Sequence, residues 1–197
     1  MIINNDIAIL ILAAGESTRM GGPKQLLPWK ETTLLGNSIN EARLVLPKNI
    51  NVVLGGNFDL IKNLSELKHI NSIYNSNFKL GQGTSISLGI SHILKINSNI
   101  KAVLIVLCDQ PLITSTYLVH LIYNFNRSNK GIVATKYDDT AGVPAIFGKR
   151  YFEELTNLKD DMGAKSIIAK NSSDVISIDA KGKEIDIDTK EDYRNLI

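Results

Sequence analysis

Apolar residues in this chain fall into two kinds of run that alternate along its length. The first kind is nearly continuous: residues 7–14, 50–54 and 102–108 are almost all Ile, Leu, Val or Ala, and each leads straight into a turn, at Gly15, Gly55-Gly56 and Asp109-Gln110-Pro111. Unbroken apolarity over so short a length is what a strand needs when helices cover both its faces. The second kind is periodic. Leu35, Ile39, Ala42 and Leu46 recur at intervals of four, three and four, which predicts an amphipathic helix capped by Thr32 or Thr33 and stopped by Pro47. Residues 57–68 predict a second helix with Leu60, Ile61, Leu64 and Leu67 inward. A short strand over 70–74 follows, then a polar, glycine-punctuated loop over 75–83.

Thr84 or Ser85 caps a third helix with Ile86, Ile90, Ile93 and Leu94 on one face, and Leu118, Leu121, Ile122 and Phe125 place another over 114–125, before a strand near 131–135. The later part is less regular. It predicts a polar turn at 137–142, a strand at 143–147 despite Pro144, and helices at 151–158 and 162–170, the second capped by Asp160 or Asp161. Short strands at 175–178 and 185–187 and a helical turn or two at 191–197 complete the pattern. Strands alternating with helices give an α/β fold, a parallel sheet with helices on both faces. The 197 residues, 44% of them hydrophobic, suffice for one substantial core and predict a single domain over 1–197.

Charge narrows the field of partners. The 22 basic and 20 acidic residues leave a net charge of +2, too little to argue for nucleic acid or an anionic membrane, so positive potential must be local. Cys108 is the one cysteine, which excludes an internal disulfide and a cysteine-built metal site and fits a reducing compartment. The first residues, MIINND, carry no basic leader region, and the longest apolar runs fall far short of the ~20 residues of a spanning helix. A soluble, cytoplasmic protein is expected.

Local positive charge lies in residues 10–28, LILAAGESTRMGGPKQLLP. Ala13, Ala14 and Gly15 let a ligand approach the backbone, exposed N–H groups of such a turn bind anions, and Arg19 and Lys24 add two full charges. The spacing excludes two familiar phosphate loops, since Gly15 stands six positions before Gly21 and Lys24 is followed by Gln25. The plainer reading is a glycine-rich turn with two solvated cations. Asp109 ends an apolar run, where a hard cation with oxygen ligands would relieve the cost of its charge; a helix cap before Pro111 is the alternative. A second carboxylate is expected from Asp186-Ile187-Asp188-Thr189, where strand alternation would put Asp186 and Asp188 on one face, an exposed strand edge being the alternative. His69, His92 and His120 pair with no activated serine, nor with Cys108. Transfer between phosphates needs no such nucleophile, because a phosphate with a second pKa of ~6 is already mostly ionised at neutral pH, leaving positioning and charge neutralisation to the protein.

The loop resembles the nucleotidyltransferase signature L-A-A-G-x-S-x-R-M-G-x-x-K, matched at Leu12, Ala13, Ala14, Gly15, Ser17, Arg19, Met20, Gly21 and Lys24. With LCDQP around Asp109 and DIDTKEDY around Asp188, residues 9–193 resemble the molybdenum cofactor cytidylyltransferases. That resemblance implies a Rossmann-like, mostly parallel sheet with helices on both faces, of the nucleotide-diphospho-sugar transferase type, and transfer of CMP from CTP to the terminal phosphate of molybdenum-bound molybdopterin, with pyrophosphate released and magnesium, or manganese, as cofactor. It implies a triphosphate cradle from Leu12 through Glu16, Ser17 and Thr18 to Met20, with Arg19 on the departing pyrophosphate and Lys24 on the α-phosphate. Gly81, Gln82, Gly83 and Ser85 would lie near the base, Asp109 and Asp188 would hold the metal, and Gly142, Pro144, Asp161 and Gly163 would face the acceptor. Arg19, Lys24 and Asp109 would be the catalytic residues. CTP and molybdopterin would be the substrates and a client molybdoenzyme a further partner. Pro23 before Lys24 resembles the cytidylyl rather than the guanylyl branch. Cys108, Val143, Lys165 and Lys190 stand where the family usually has glycine, histidine, arginine and proline. Competing readings are a guanylyltransferase, a sugar- or isoprenoid-phosphate nucleotidyltransferase, and a non-catalytic carrier that delivers the cofactor.

Overall fold

A computed structural model describes residues 6–197; the MIINN stretch considered above as a leader lies outside the described residues. Seven strands form the sheet: β1 (Ile7–Ala13), β2 (Ile50–Leu54), β3 (Asn71–Tyr74), β4 (Ala102–Leu107), β5 (Ile132–Tyr137), β6 (Thr140–Gly148) and β7 (Val175–Asp179). Their spatial order is β3-β2-β1-β4-β6-β5-β7. β6 alone runs against its neighbours β4 and β5, and every other pair is parallel. The sheet is therefore mostly parallel, as the alternation of strands and helices requires.

All seven residues of β1 are buried, and they divide by parity. Ile7, Ile9, Ile11 and Ala13 share a core with helices α1 (Leu34–Val45) and, further along the chain, α4 (Ser115–Arg127), through Leu35, Ile39, Leu118 and Leu121. Ala8, Leu10 and Leu12 face the opposite core, where Ile86, Ile90 and Ile93 of α3 (Gln82–Ile96) meet Leu155 of α5 (Phe152–Thr156) and Ile167 and Ile168 of α6 (Ala164–Lys170). Period-two alternation thus supplies two cores from one strand. α1 opens as expected on Thr33, whose hydroxyl accepts the Gly36 N–H at 3.0 Å.

Several expected boundaries move. Residues 57–68 form a four-residue helix α2 (Phe58–Ile61) and a separate 3-10 turn, Ser65–Leu67, because Leu64 takes an extended ψ of 137° between them. The break lets Ile61 and Leu67 both reach the core and leaves Leu60 outward, 62% exposed. α3 starts at Gln82 with Gly81 as its N-cap, so Thr84 and Ser85 lie inside its first turn. The turn expected at 137–142 shrinks to Asp138-Asp139, and β6 extends back to Thr140. Pro144 is accommodated because the β5–β6 register shifts between Ala134 and Thr135, so its missing N–H interrupts no regular ladder. The helix expected at 151–158 is a 3-10 turn, Lys149–Tyr151, followed by α5. α6 starts at Ala164 with Gly163 as its N-cap, not at Met162, since Lys159 to Met162 form a turn of their own. Residues 185–187 are not a strand; Ile187 instead plugs a small cluster of Met20, Trp29 and Leu34. α7 (Lys190–Leu196) starts with a capping box, Thr189 accepting the Asp192 N–H and Asp192 accepting the Thr189 N–H. Among the described residues no helix is long and apolar enough to cross a membrane.

The chain fills β2 and β3 on one side of β1, then crosses to lay β4 on the other. Ligands of such sheets bind beyond the strand carboxyl ends at that reversal. Residues 14–15 and 108–109 lie there.

Candidate active site

The loop after β1 is shaped by one buried amide. Gln25, 1% exposed, donates from Nε2 to the carbonyls of Ala13 at 3.0 Å and Gly15 at 2.8 Å, and its Oε1 accepts the Ser17 hydroxyl at 3.3 Å. Ser17 and Gly21 both take left-handed φ, 57° and 72°, bracketing a 3-10 turn, Thr18–Met20. On the far side the turn after β2 presses against the loop: a Cβ on Gly55 would stand 2.4 Å from the Ala14 carbonyl oxygen. The Gly56 N–H reaches that same oxygen at 3.2 Å. No periodicity marks Gln25 in the sequence, and only the folded loop reveals its role.

Asp109 meets this loop from β4. The Lys24 ammonium lies 2.5 Å from Asp109 Oδ2, 2.9 Å from Asp188 Oδ1 and 3.1 Å from the Ile187 carbonyl oxygen. Arg19 Nη2 takes the other Asp188 oxygen at 2.9 Å. Burial by itself would lower the Lys24 pKa, but the Asp109 and Asp188 charges outweigh it and hold the ammonium well above its ordinary range. Burial likewise works to raise Asp188, and Lys24 and Arg19 together bring it below the usual carboxylate range. Cys108 is buried, and the loss of solvent together with the neighbouring Asp109 charge pushes its thiol far up, so it is no nucleophile.

Asp186 and Asp188 do not share a face, because no strand holds them. The Ile187 N–H donates to the Asp109 carbonyl at 2.9 Å and Asp188 turns to the cations. Asp186 accepts instead from Gln110 Nε2 at 2.9 Å, the same amide group reaching the Tyr137 hydroxyl at 2.6 Å. Asp186 is exposed as a residue, while the carboxylate oxygen held by Gln110 is part-buried. Desolvation first and the Asp109 charge second raise its pKa to about 6. Gln110, 2% exposed, is a second organising amide that the sequence pattern does not mark.

A pocket of about 190 Å³ collects Leu12, Ala13, Ala14, Gly15, Lys24, Gln25, Phe78, Gly81, Gln82, Ser85, Leu107, Cys108 and Asp109. Most of the expected nucleotide-site residues therefore converge. Ser85 is held by the Asn75 amide at 2.9 Å. Gly81, at φ +113°, could carry no side chain, since a Cβ would fall 2.3 Å from the Asp160 carbonyl carbon. Six expected residues do not line it: Ser17, Thr18 and Arg19 belong to the 3-10 turn beyond Gly15 and its cap, Met20 is buried among Trp29, Leu34 and Ile187, Glu16 pairs with Lys79 at 3.7 Å, and Gly83 backs onto the turn at 159–162, its N–H donating to the Asp160 carbonyl at 2.9 Å. The four acceptor-side residues divide. Asp161 and Gly163 adjoin Gly81 and Gln82 at the pocket rim, whereas Gly142 lies against the Tyr137 ring and Pro144 accepts the Thr135 hydroxyl at 2.7 Å. A wider groove of about 520 Å³ lies between the β5–β6 turn and α6, lined by Lys136, Asp138, Thr140 and Lys165 among others. Size alone would favour it, but the paired carboxylates and the loop select the smaller pocket.

The donor set fits a divalent cation. Asp109 Oδ1 is buried with no hydrogen-bond partner, and among the described residues no group of three or more His, Cys, Asp or Glu forms a metal cage unaided. Two carboxylates that leave further positions to substrate phosphates are the arrangement magnesium favours.

Comparison with known proteins places these features in a wider group. The family model for the MobA-like NTP transferase domain matches residues 9–175. Bifunctional protein GlmU of Pseudomonas putida is 27% identical over 176 residues, which are 87% of this chain but 37% of the relative. The chain thus spans well under half the length of that curated relative. The crystal structure of Rv0371c from Mycobacterium tuberculosis is similar with a TM-score of 0.82 and 27% identity, covering 97% of each chain. A manganese complex of the same mycobacterial protein gives 0.80 and 26%, covering 98% of each. Molybdopterin-guanine dinucleotide biosynthesis protein A from Archaeoglobus fulgidus shares the fold, with a TM-score of 0.68 at 15% identity over 95% of each chain.

Proposed function

The chain belongs to the MobA-like NTP transferase family, and from that premise we propose that it is a molybdenum cofactor cytidylyltransferase. It would transfer CMP from CTP to the terminal phosphate of molybdenum-bound molybdopterin and release pyrophosphate. The observation that carries this reading is Lys24, held between Asp109 and Asp188 at the mouth of the signature loop. In this reading the loop from Leu12 to Met20 cradles the triphosphate, Lys24 neutralises the α-phosphate, and Arg19 stabilises the departing pyrophosphate. Gly81, Gln82 and Ser85 face the base. Gly142, Pro144, Asp161 and Gly163 belong to the acceptor side.

Asp109 and Asp188 would hold magnesium, with manganese as a substitute, and the manganese complex of the mycobacterial protein supports a divalent ion in this family. Bound there, the ion supplies positive charge to the triphosphate as a Lewis acid. An acceptor phosphate oxygen forms the new bond to the α-phosphorus, and the bond from that phosphorus to the β-phosphate bridging oxygen breaks. No enzyme nucleophile intervenes, in keeping with the inert Cys108. The chemistry reduces to alignment and charge.

Pyrophosphate release, measured with each nucleotide and with molybdopterin, sugar-phosphate or isoprenoid-phosphate acceptors, tests the reading. CTP with molybdopterin is the expected pair. A preference for GTP, or for another acceptor, replaces the corresponding half. Tight cofactor binding without pyrophosphate release would make the protein a carrier.

A further inference from the structure

The cations assigned to the triphosphate and the carboxylates assigned to the metal are here bound to each other. An ammonium has three N–H donors, and Lys24 has three acceptors: Asp109 Oδ2, Asp188 Oδ1 and the Ile187 carbonyl. No donor remains for a phosphate. Arg19 completes the set by holding Asp188 Oδ2, so two positive and two negative groups neutralise one another. Lys24 and Asp109 are also largely shielded, at 13% and 17% side-chain exposure, where solvent cannot easily replace a lost partner.

We propose that Lys24, assisted by Arg19, is an internal counter-ion for Asp109 and Asp188, and that it makes divalent-cation binding depend on the triphosphate. The proposal rests on the functional reading above for the identity of the two ligands. A cation arriving alone must displace an ammonium from the carboxylates it needs. A triphosphate arriving alone must draw Lys24 and Arg19 away and leave two neighbouring carboxylates unpaired. Together, the triphosphate takes the protein's cations while the divalent ion takes its carboxylates, and every charge keeps a partner. Each ligand therefore raises the affinity for the other, by the reciprocity that linkage demands. The device also guards the site, because a metal ion without nucleotide gains little hold there.

Direct titration of the full chain with Mn²⁺ and no nucleotide tests the idea, with free Mn²⁺ followed by electron paramagnetic resonance. Lys24→Gln is expected to bind Mn²⁺ about tenfold more tightly than wild type, within the usual range of coupling between sites. Arg19→Gln should move the same way by a smaller factor, since Arg19 is 68% exposed; that exposure also makes it the variant that keeps its fold if Lys24→Gln does not. Asp109→Asn should abolish binding in either background. Repeated with an α,β-methylene analogue of CTP, and corrected for Mn²⁺ held by the free analogue, the titration should show tighter Mn²⁺ binding to wild type and a much smaller gain in Lys24→Gln. Unchanged or weaker Mn²⁺ binding by the two cation variants overturns the proposal, as does the absence of Mn²⁺ binding in all forms. The nucleotide-free arm is independent of turnover: tighter binding by Lys24→Gln in a protein that never releases pyrophosphate would keep the counter-ion and discard the cytidylyltransferase.

Discussion

Replacing Gln25 with leucine isolates the contribution of one amide to the site. Leucine nearly conserves the buried volume, so packing around a position 1% exposed stays filled, and what is lost, besides the long bond of 3.3 Å accepted from the Ser17 hydroxyl, is the pair of bonds to the Ala13 and Gly15 carbonyls. The two losses differ. Ala13 is buried, and its orphaned carbonyl costs ~1–3 kcal/mol. Gly15 is exposed, so water recovers its carbonyl and the loss is closer to the ~0.5–1.5 kcal/mol of an ordinary bond. Together they destabilise the protein by about 2–4 kcal/mol, a fall in melting midpoint of roughly 4–16 °C at ~2–4 °C per kcal/mol for a chain of this size. Urea unfolding, with midpoint and slope fitted separately, measures the cost, and nucleotide titration of the folded variant should show at least tenfold weaker binding as the loop loses its shape. A cost under about 1 kcal/mol, with nucleotide affinity unchanged, would refute the claim that Gln25 shapes the loop.

Asp109→Asn should reduce turnover ~100-fold or more, the scale of losing one charge-stabilising group, and by more than Asp188→Asn, because Asp109 is the less exposed of the two, at 17% against 38%; steady-state assays across metal concentration decide the ranking. Asp186 gives a pH signature. With its folded pKa near 6 against an ordinary 3.8, the native state holds the extra proton between those values, so the group's favourable contribution is full below ~pH 4 and is lost as pH rises through 6. Asp186→Asn should therefore raise the melting midpoint relative to wild type more at pH 7 than at pH 4, and an equal difference at both would contradict the shift. In the α3 core, Ile90→Ala should cost ~2–5 kcal/mol in urea unfolding, since Ile90 is fully buried; a loss below about 1 kcal/mol would show that this face is loosely packed.

The strands at the centre of the sheet were the most legible parts of the sequence, because burial on both faces leaves an unmistakable apolar block. α1 and α4 were legible for a related reason, their apolar stripes being long enough to set a period. Residues 57–68 misled because apolar positions at helical spacing also suit two short turns separated by an extended Leu64. Asp186 and Asp188 misled in another way. Strand alternation presupposes a strand, and the backbone here is instead fixed by Ile187 and its bond to Asp109. The charged members of the site were nameable from the loop and the strand end. Gln25 and Gln110 were not, since a buried amide is recognised by the groups it satisfies: those of Gln25 are carbonyls that only the folded loop brings to it, and those of Gln110, on Tyr137 and Asp186, lie far along the chain.

The position of Asp188 bears on timing during synthesis. All seven strands lie within residues 7–179, so a ribosome has made the material of the whole sheet, and with it Lys24 and Asp109, before it adds Asp188. Synthesis proceeds at ~5–20 residues per second. Asp188 thus follows every strand of the sheet in the chain, and without it Lys24 would keep one carboxylate partner, Asp109, and Arg19 would lose its own. A polypeptide stopped just after β7 would have the strands of the sheet without Asp188.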